Sequence, residues 1–467
     1  MKISFDALPA KPGEIAIRFV TSDRRGEIVP AVPEQEFSGQ PNSILFFREQ
    51  ETLYIGLGSR EKVTASTLRS AAGTAAMFLK KIGRKQLAVH LEEWPQFTGA
   101  VVEGLILADY RFEQFSSRKT SAIDTLRVLV LAGDIKAARR DGPRGAIIAG
   151  AANLSREIGN QPGNLLYPET LAARAVKMAK ENGLAITVLN EARLRAGKFG
   201  GLLAVGAGSV RPPRLIVIHH RKGPKNQAPI ALVGKAITFD TGGISIKPAA
   251  DMENMIFDKC GGMAVLGAMA GIAKLGLKRN VVGIIASAEN MPGAGAYRPG
   301  DIVTAYDGKY IEIINTDAEG RVVLADAIAY ARKTCNAAAI VDLATLTGAC
   351  CVALGEHAAG LWSSDETLGK RVLSASEKSG ERLWPMPLYP EYDEQIRSNV
   401  ALIKNSAGRL GGACTAAAFL KTFAEKTPWA HLDIACTAHR DNDRPDMARG
   451  ATGFGVRTLI ELVESWQ

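Results

Sequence analysis

Short apolar runs alternate with stretches of helical periodicity along the first third of the chain. Residues 64–82 and 99–108 carry apolar side chains at the spacing of one face of a helix. The apolar runs between them have the length of buried strands, and they span residues 15–20, 43–47, 53–57, 87–91 and 126–131. This alternation predicts an α/β domain.

A polar stretch interrupts this pattern at residues 134–144, which include Arg139-Arg140-Asp141-Gly142-Pro143. Residues 145–158 then predict a connecting helix. Further apolar strands alternate with helices such as 262–275 beyond it, at residues 215–219, 230–233, 281–287, 311–314, 339–343 and 431–435. We therefore predict a smaller N-terminal α/β domain (1–140), a connecting helix (141–160) and a larger C-terminal α/β domain (161–467) with a mainly parallel central sheet.

The composition is that of a globular protein, with 46% hydrophobic and 22% charged residues among 467. The amino terminus carries no basic start followed by an apolar stretch, and nowhere do eighteen apolar residues run without interruption. The six cysteines have no CxxC spacing, which predicts reduced core thiols. We expect a cytoplasmic protein that does not span a membrane.

The net charge of +9 introduces a hypothesis of a different class, a nucleic-acid-binding protein, because basic surfaces attract phosphate. The basic residues are dispersed, however, with no run of five and no recognisable helix-turn-helix. DNA binding is therefore an added activity to test rather than the main prediction.

A charged run at residues 315–321 is the first candidate for chemistry, since Asp317, Glu319 and Arg321 alternate along it. Residues 310–314 before it predict a strand and residues 322–333 after it a helix, so the run is a strand-to-helix turn, where α/β sheets bind ligands. Three alternate side chains would point the same way if the run were extended. It is either a surface patch of ion pairs or a metal site beside a cationic group.

A second polar segment lies about eighty residues upstream, where Lys235, Asp240, Lys247 and Asp258 follow an apolar strand. Each of them, taken alone, is equally well explained as a solvated or turn residue. Together with residues 317 and 319 they supply four carboxylates, enough to neutralise two divalent cations. No histidine lies between His220 and His357 and there is no HExxH motif, so oxygen-rich ligation of Mn, Mg or Zn is favoured over a histidine zinc site.

These segments resemble the leucyl aminopeptidase (cytosol aminopeptidase) family of dinuclear metallopeptidases. The resemblance rests on four blocks in order, VGKAITFDTGGISIKP (233–248), FDKCGG (257–262), ENMPGAGAYRPGD (289–301) and NTDAEGR (315–321). Weaker matches at NQPGN, TLTG, GACTAAAFL and WAHLDIA extend it from about residue 144 to the end of the chain. The sequence differs from common family residues at Thr241, Ala288 and Val322, none of which carries a predicted functional group.

The resemblance implies a role for each matching residue. The implied metal ligands are Lys235, Asp240, Asp258, Asp317 and Glu319, holding two divalent ions, Mn²⁺ or Zn²⁺. The implied catalytic residues are Lys247, which polarises the scissile carbonyl, and Arg321, which holds a bicarbonate ion as a proton relay. The implied substrate-binding residues are Lys247, Met255, Thr345, Leu346 and Gly348. Packing in the core explains Met255, Thr345 and Gly348 equally well.

The implied activity is release of an N-terminal residue, preferably leucine or another hydrophobic one, from peptides with a free amino terminus. Attack would come from a water that bridges the two metals. The resemblance also implies a homohexamer of two stacked trimers. The alternatives are another two-metal hydrolase, such as a phosphatase or an amidohydrolase of non-peptide amides, and an aminopeptidase that also binds DNA.

Overall fold

The structure is a computed structural model, and it describes residues 1–7, 13–117 and 122–466. The chain divides into two compact units. Unit 1 comprises Met1–Asn153 and Asp441–Gly450, and unit 2 comprises Leu154–Arg440 and Ala451–Gln467. The α/β class predicted from the sequence is confirmed in both units.

The described part of unit 1 contains a six-stranded sheet with the order β1-β6-β5-β2-β4-β3, parallel except between β3 and β4. The strands are β1 (Lys2–Ala7), β2 (Ile15–Thr21), β3 (Ile44–Phe47), β4 (Thr52–Gly58), β5 (Gln86–His90) and β6 (Thr125–Val130). The helices are α1 (Arg25–Ile28), α2 (Ala65–Lys81), α3 (Thr98–Asp109) and α4 (Ile135–Gly159), of which residues 154–159 belong to unit 2. The apolar pattern missed β1, an edge strand in which Phe5 alone is buried.

Helix α4 corrects the predicted break at residues 134–144, because it begins at Ile135 and runs through Pro143. Two glycines in and just after this stretch, Gly142 and Gly145, allow neighbouring parts of the chain to pack closely against α4. A Cβ at Gly142 would lie 2.0 Å from the Phe5 ring, and a Cβ at Gly145 would lie 2.1 Å from the carbonyl oxygen of Gly99. Glycine and proline therefore indicated a loop where tertiary contacts enforce a helix. The domain limits at residues 140 and 161 stay a prediction.

The described part of unit 2 contains an eight-stranded sheet with the order β15-β14-β17-β13-β9-β10-β8-β7. Its central strands β17, β13, β9 and β10 are parallel, which confirms the predicted mainly parallel sheet. Strands β11, β12 and β16 form a smaller sheet. The strands are β7 (Ala185–Leu189), β8 (Arg214–Arg221), β9 (Ile230–Asp240), β10 (Asn280–Asn290), β11 (Ile302–Thr304), β12 (Tyr310–Glu312), β13 (Ala339–Ala344), β14 (Ala359–Ser363), β15 (Leu383–Pro385), β16 (Ile403–Lys404), β17 (Trp429–Asp433), β18 (His439–Arg440) and β19 (Gly450–Ala451).

The helices of unit 2 pack on this sheet and bury its apolar strands. They are α5 (Pro168–Glu181), α6 (Glu191–Ala196), α7 (Gly200–Gly206), α8 (Cys260–Leu275), α9 (Glu319–Lys333), α10 (Gly348–Leu354), α11 (Glu366–Ser379), α12 (Pro390–Gln395), α13 (Gly412–Ala424) and α14 (Val456–Glu464). One core cluster joins the inner strands to α9 and α13. Among the described residues, one helical stretch, Met252–Leu275, is apolar and long enough to cross a membrane, but 83% of its most apolar window is buried in the protein, as in a core helix.

Two sequence-based expectations about unit 2 are wrong. Strand β9 continues to Asp240 instead of ending near residue 233, so Lys235 lies inside a strand and not after one. The charged residues Lys235 and Asp240 suggested a loop, but both are buried within the strand. The six cysteines are also not all reduced, because Cys351 and Cys436 form a disulfide, while Cys260, Cys335, Cys350 and Cys414 are free thiols.

Candidate metal centre

A bulge in β9 brings Lys235 and Asp240 to the same face of the sheet. Residues five apart in a regular strand point to opposite faces. Between Ile237 and Asp240, however, three steps of β9 pair with only two steps of β10, from Ala288 to Asn290. The extra residue reverses the alternation and aims both side chains at one point.

The remaining carboxylates arrive from two other segments of unit 2. Asp258 lies near the end of the 3-10 helix Met252–Lys259, and Glu319 is the first residue of α9. Asp317 occupies the turn just before α9. The run 315–321 is a turn that leads into a helix, as predicted, but the helix begins at Glu319 and not at Val322, so Glu319 and Arg321 are already helical. The charged groups of Glu319 and Arg321 therefore project from the first turn of α9, and that of Asp317 projects from the turn before it.

Lys235 is held between two buried carboxylates. Its Nζ lies 2.8 Å from Oδ1 of Asp258 and 2.8 Å from Oε1 of Glu319, and it donates a hydrogen bond of 2.8 Å to the carbonyl oxygen of Thr345. Burial disfavours the charged form, but the carboxylates of Asp258 and Glu319 outweigh burial, and the pKa of Lys235 is raised above its ordinary value. This ammonium group therefore stays charged in the arrangement described.

Lys247 occupies the other side of the cluster. Its Nζ lies 2.9 Å from Oδ2 of Asp240 and 2.5 Å from Oδ1 of Asp317. Partial burial lowers its pKa, but the charges of Asp240, Glu319 and Asp317 raise it further, so the pKa of Lys247 is also above its ordinary value. Its side chain is 21% exposed against 3% for Lys235, so Lys247 is the lysine that faces the solvent side of the site.

The carboxylates form a compact set of oxygen donors. One oxygen each from Asp240, Asp317 and Glu319 lie within 4.8 Å of one another. Burial, together with the charge of Glu319, raises the pKa of Asp317, and burial raises the pKa of Asp258 well above its ordinary value despite Lys235. Four acidic groups in a buried volume repel one another unless cations are present. The donor set therefore fits hard divalent cations.

One oxygen of Asp258 supports this fit. Its Oδ2 atom is buried and has no hydrogen-bond partner among the residues that the structure describes, whereas Oδ1 accepts from the hydroxyl of Thr345 at 2.7 Å. A buried carboxylate oxygen without a donor is costly unless it binds something. The neighbouring negative charges of Glu319 and Asp240 make a metal ion a suitable partner for this oxygen.

Two uncharged residues that the sequence reasoning missed connect the halves of the site. The Nδ2 group of Asn290 donates to Oδ1 of Asp240 (2.8 Å) and to the carbonyl oxygen of Thr316 (3.0 Å). The hydroxyl of Thr316 donates to the carbonyl oxygen of Gly242 (2.6 Å) and accepts from the amide of Ser245 (2.8 Å). Both lie within the matched blocks, but their residue types gave no sign of a metal site.

Two glycines of the motifs have steric roles. Gly320, in the first turn of α9, lies under the Lys235 side chain, and a Cβ there would be 2.6 Å from its Nζ. Gly242 has a φ of +85°, and a Cβ there would be 2.4 Å from the carbonyl oxygen of Ser245. Glycine is therefore required at both positions for the lysines and carboxylates to meet.

Arg321 is buried in the first turn of α9, next to Glu319 in space. Its Nη1 donates to the carbonyl oxygen of Asn405 at 2.9 Å, while its Nε is buried and has no partner in the described part of the chain. Burial lowers the pKa of Arg321 to about 10, against the opposing charges of Glu319 and Asp433. The group stays cationic at neutral pH and has donor capacity left for an anion.

The predicted substrate-binding residues are brought together only in part. Thr345 contacts both Lys235 and Asp258, and the amide of Leu346 donates to Oδ1 of Asp433 at 3.1 Å. Gly348 begins α10 with open space where a side chain would project, and Met255 is half-buried in the 3-10 helix that carries Asp258. Within the described residues, no side-chain hydrogen bond or ion pair links Met255 or Gly348 to the charged cluster.

Two family models match this chain. The catalytic domain of the cytosol aminopeptidase family matches residues 153–460, and the N-terminal domain of the same family matches residues 8–119. Together they cover most of both units.

Individual relatives agree over nearly the full length. The chain is 43% identical to a probable cytosol aminopeptidase of Syntrophotalea carbinolica, covering 94% of this chain and 92% of that protein. It is 46% identical to a probable cytosol aminopeptidase of Solibacter usitatus, covering 90% and 88%.

Solved structures share the fold. A mutant of tomato leucine aminopeptidase is 32% identical with a TM-score of 0.91, covering 99% of this chain and 96% of that one. The bottromycin maturation enzyme BotP in complex with Mn is 34% identical with a TM-score of 0.85, covering 97% and 99%. The chain is thus a hydrolase of the peptidase class, and it belongs to the cytosol aminopeptidase family.

Proposed function

We propose that the chain is a leucyl aminopeptidase that uses two divalent metal ions to release N-terminal residues, preferably leucine and other hydrophobic ones, from peptides. The observation that carries this proposal is the convergence of Lys235, Asp240, Asp258, Asp317 and Glu319 from three separate segments into one buried cluster. Family membership and an Mn-bound neighbour in the fold support it.

The proposed metal ligands are these five residues, and Mn²⁺ or Zn²⁺ are the proposed ions. Two divalent cations, when bound, would supply an acidified water for attack and would draw electrons from the peptide carbonyl. Lys235 would give up its proton to become a ligand, since ligands bind deprotonated. The orphan Oδ2 of Asp258 would then gain its partner.

The proposed role of Lys247 is to stabilise the negative charge that develops on the carbonyl oxygen. It faces the solvent side of the site, where a peptide arrives, and its raised pKa keeps it a hydrogen-bond donor at neutral pH. A preorganised donor of this kind acts on the transition state more than on the substrate. In this proposal Lys247 keeps its proton, whereas Lys235 loses its proton and binds a metal ion as a neutral amine.

The proposed role of Arg321 is to hold a bicarbonate ion. Its unpartnered Nε, together with the amino-terminal turn of α9, offers donors and positive potential to a small anion. Bicarbonate, when bound, would supply a group able to take and return a proton, which a guanidinium cannot do. Within the part of the chain that the structure describes, the hydrogen bond of Arg321 and the ion pair of Glu319 involve Asn405 and Lys235 and no histidine.

The proposed substrate pocket is formed by Met255, Thr345, Leu346 and Gly348, with Lys247 at its edge. Thr345 connects this segment to the metal ligands, and the open space at Gly348 leaves room for an aliphatic side chain. A free amino terminus would bind next to the acidic cluster. This accounts for removal of one residue at a time from the end of a peptide.

The test compares three substrates with purified protein in the presence of Mn²⁺: leucine p-nitroanilide, its N-acetylated form and p-nitrophenyl phosphate. We expect hydrolysis of the free anilide alone. Equal cleavage of the acetylated anilide would indicate a general amidohydrolase, and reaction of the phosphate ester alone would indicate a phosphatase. Either result would contradict the proposal.

We also propose, by family analogy, a cytoplasmic homohexamer. Sedimentation velocity of the metal-loaded protein should give a single species of six chains. A monomer or dimer with full activity would contradict this assembly. Fractionation of the source cells should place the activity in the cytoplasmic fraction.

A further inference from the structure

The disulfide between Cys351 and Cys436 lies next to the proposed substrate pocket. Cys351 belongs to α10, whose first residue is Gly348, and Cys436 lies three residues after β17 ends at Asp433. Their Cα atoms are 5.2 Å apart, within the range of ordinary disulfides. The bond therefore joins the segment that carries the pocket to the loop that follows a central strand.

A short path of hydrogen bonds and backbone leads from the helix that carries Cys351 to the proposed metal ligands. Thr347 caps α10 by accepting from the amide of Cys350 (3.1 Å), and its hydroxyl donates to Oδ2 of Asp433 (2.7 Å). Two residues earlier, the hydroxyl of Thr345 donates to Oδ1 of Asp258, and the carbonyl oxygen of Thr345 accepts from Nζ of Lys235. A displacement of α10 would therefore reach Thr345 through a short, contiguous chain of contacts.

Helix α10 is only partly packed. Of its seven residues, all of which the structure describes, Cys350 alone is buried, Ala349 and Leu354 are partly buried against the core, and Val352 is 91% exposed. Apart from the disulfide, its carboxyl end is joined to the 436 loop by Arg440, which donates to Oε2 of Glu356 (2.9 Å) and to the carbonyl oxygen of Cys436 (3.1 Å). Loss of the disulfide would loosen this helix without unfolding it.

The two bonded cysteines are also the accessible ones in this region. Both are partly exposed, so a small reductant can approach the bond. The adjacent Cys350 is buried, and burial raises its pKa to about 12, which keeps it a thiol that does not exchange. In reducing compartments disulfides are short-lived and mostly regulatory.

We propose that Cys351 and Cys436 form a reversible redox switch that controls the order of the pocket segment 345–348. A thiolate of a dithiol reductant attacks one sulfur, the S–S bond breaks, and the leaving thiolate takes a proton. The second thiol of the reductant then releases the other cysteine, so two electrons and two protons reach the pair and the reductant becomes a disulfide. This inference rests on the proposed function for its effect on activity.

The first test counts thiols and follows amide exchange, neither of which needs activity. After incubation with oxidised glutathione, alkylation in denaturant should label four cysteines, and six after a dithiol reductant. Amides of residues 345–354 should exchange about 5-fold faster in the reduced protein. Six labelled cysteines under oxidising conditions, or equal exchange in the two states, would overturn the proposal.

The second test measures leucine p-nitroanilide hydrolysis after removal of the reductant and reloading with Mn²⁺. Reduction should raise KM about 5-fold or more, at the low end of typical coupling, and change kcat less. The variant C351S/C436S should match the reduced enzyme in either condition. Cys335→Ser, at a partly buried free thiol beyond α9, is the matched control and should respond to redox state as the unaltered chain does.

The two proposals fail differently. If no state hydrolyses the anilide while thiol count and exchange still change, the proposed function is wrong and the redox coupling stands. If the enzyme is active but KM is the same in the oxidised, reduced and C351S/C436S forms, the redox switch is refuted.

Discussion

Gly320→Ala is the sharpest steric test of the proposed metal centre. A Cβ at this position would lie 2.6, 2.7 and 2.8 Å from Nζ, Cε and Cδ of Lys235. Nonbonded carbon atoms need about 3.5 to 4.0 Å, so the lysine must move by roughly 1 Å. Its three contacts, each of 2.8 Å, would then exceed hydrogen-bond distance.

The fold should survive this substitution. Alanine in place of a helical glycine gains about 1 kcal/mol of helix propensity, while overpacking a core site costs about 1 to 3 kcal/mol. The net change in the free energy of unfolding should therefore stay within about 2 kcal/mol. Displacing a proposed ligand should weaken binding of its metal ion by about 100-fold or more, since loss of an outer partner alone costs 10- to 100-fold.

The assay measures metal content by mass spectrometry after dialysis, with thermal unfolding and leucine anilide hydrolysis on the same sample. We expect a folded protein that retains about one ion per chain and has lost most of its activity. Gly150→Ala is the matched control, because Gly150 is also helical and a Cβ there meets nothing within 4 Å. Two tightly bound ions and normal turnover in the Gly320 variant would refute the assignment of Lys235 as a ligand.

The remaining predictions concern single residues and pH. Asp258→Ala should lower metal content toward one ion per chain, and retention of two would exclude it as a ligand. Lys247→Ala should keep both ions but lose roughly 10²- to 10³-fold in kcat, as for other oxyanion donors; unchanged turnover would contradict its role. Asn290→Ala should lower the free energy of unfolding by about 1 to 3 kcal/mol, because it removes two buried hydrogen bonds, to Asp240 and to the carbonyl oxygen of Thr316, and urea titration would reveal this. Because the pKa of Lys235 is raised and a ligand binds without its proton, metal affinity should rise with pH below that pKa, which dye competition at several pH values would measure.

Much of the architecture could be predicted because buried strands and amphipathic helices have characteristic spacings of apolar residues. Prediction from this spacing is wrong where tertiary contacts determine the backbone conformation. Gly142 and Pro143 indicated a break, yet close packing on Phe5 keeps α4 helical. Lys235 indicated a strand end, yet oppositely charged partners allow it to lie buried inside β9.

The charged members of the proposed site could be predicted from the sequence because they stand in four blocks that resemble the cytosol aminopeptidase family, whereas each residue alone is equally well explained as a solvated or turn residue. The uncharged members could not. Asn290 and Thr316 act through hydrogen bonds that only the folded chain brings together, and the bulge that aligns Lys235 with Asp240 is invisible in residue types. The disulfide between Cys351 and Cys436 could not be predicted either, because the two cysteines are 85 residues apart in the sequence and have no motif spacing.

The charge balance explains why the site can fold around so many acids. Four buried or half-buried carboxylates, at positions 240, 258, 317 and 319, face two ammonium groups, which leaves two negative charges. Pairing each lysine with two carboxylates limits the cost of burial, since removing one partner of a buried pair costs about 3 to 5 kcal/mol. The two lysines are not equivalent, however. Lys247 is exposed enough to turn toward solvent or substrate with its charge intact, whereas Lys235 is enclosed by three partners and can make room for a cation only by losing its proton. In the proposed mechanism the two lysines therefore take different roles, Lys235 as a ligand and Lys247 as an electrophile, because they differ in burial and in the number of their partners.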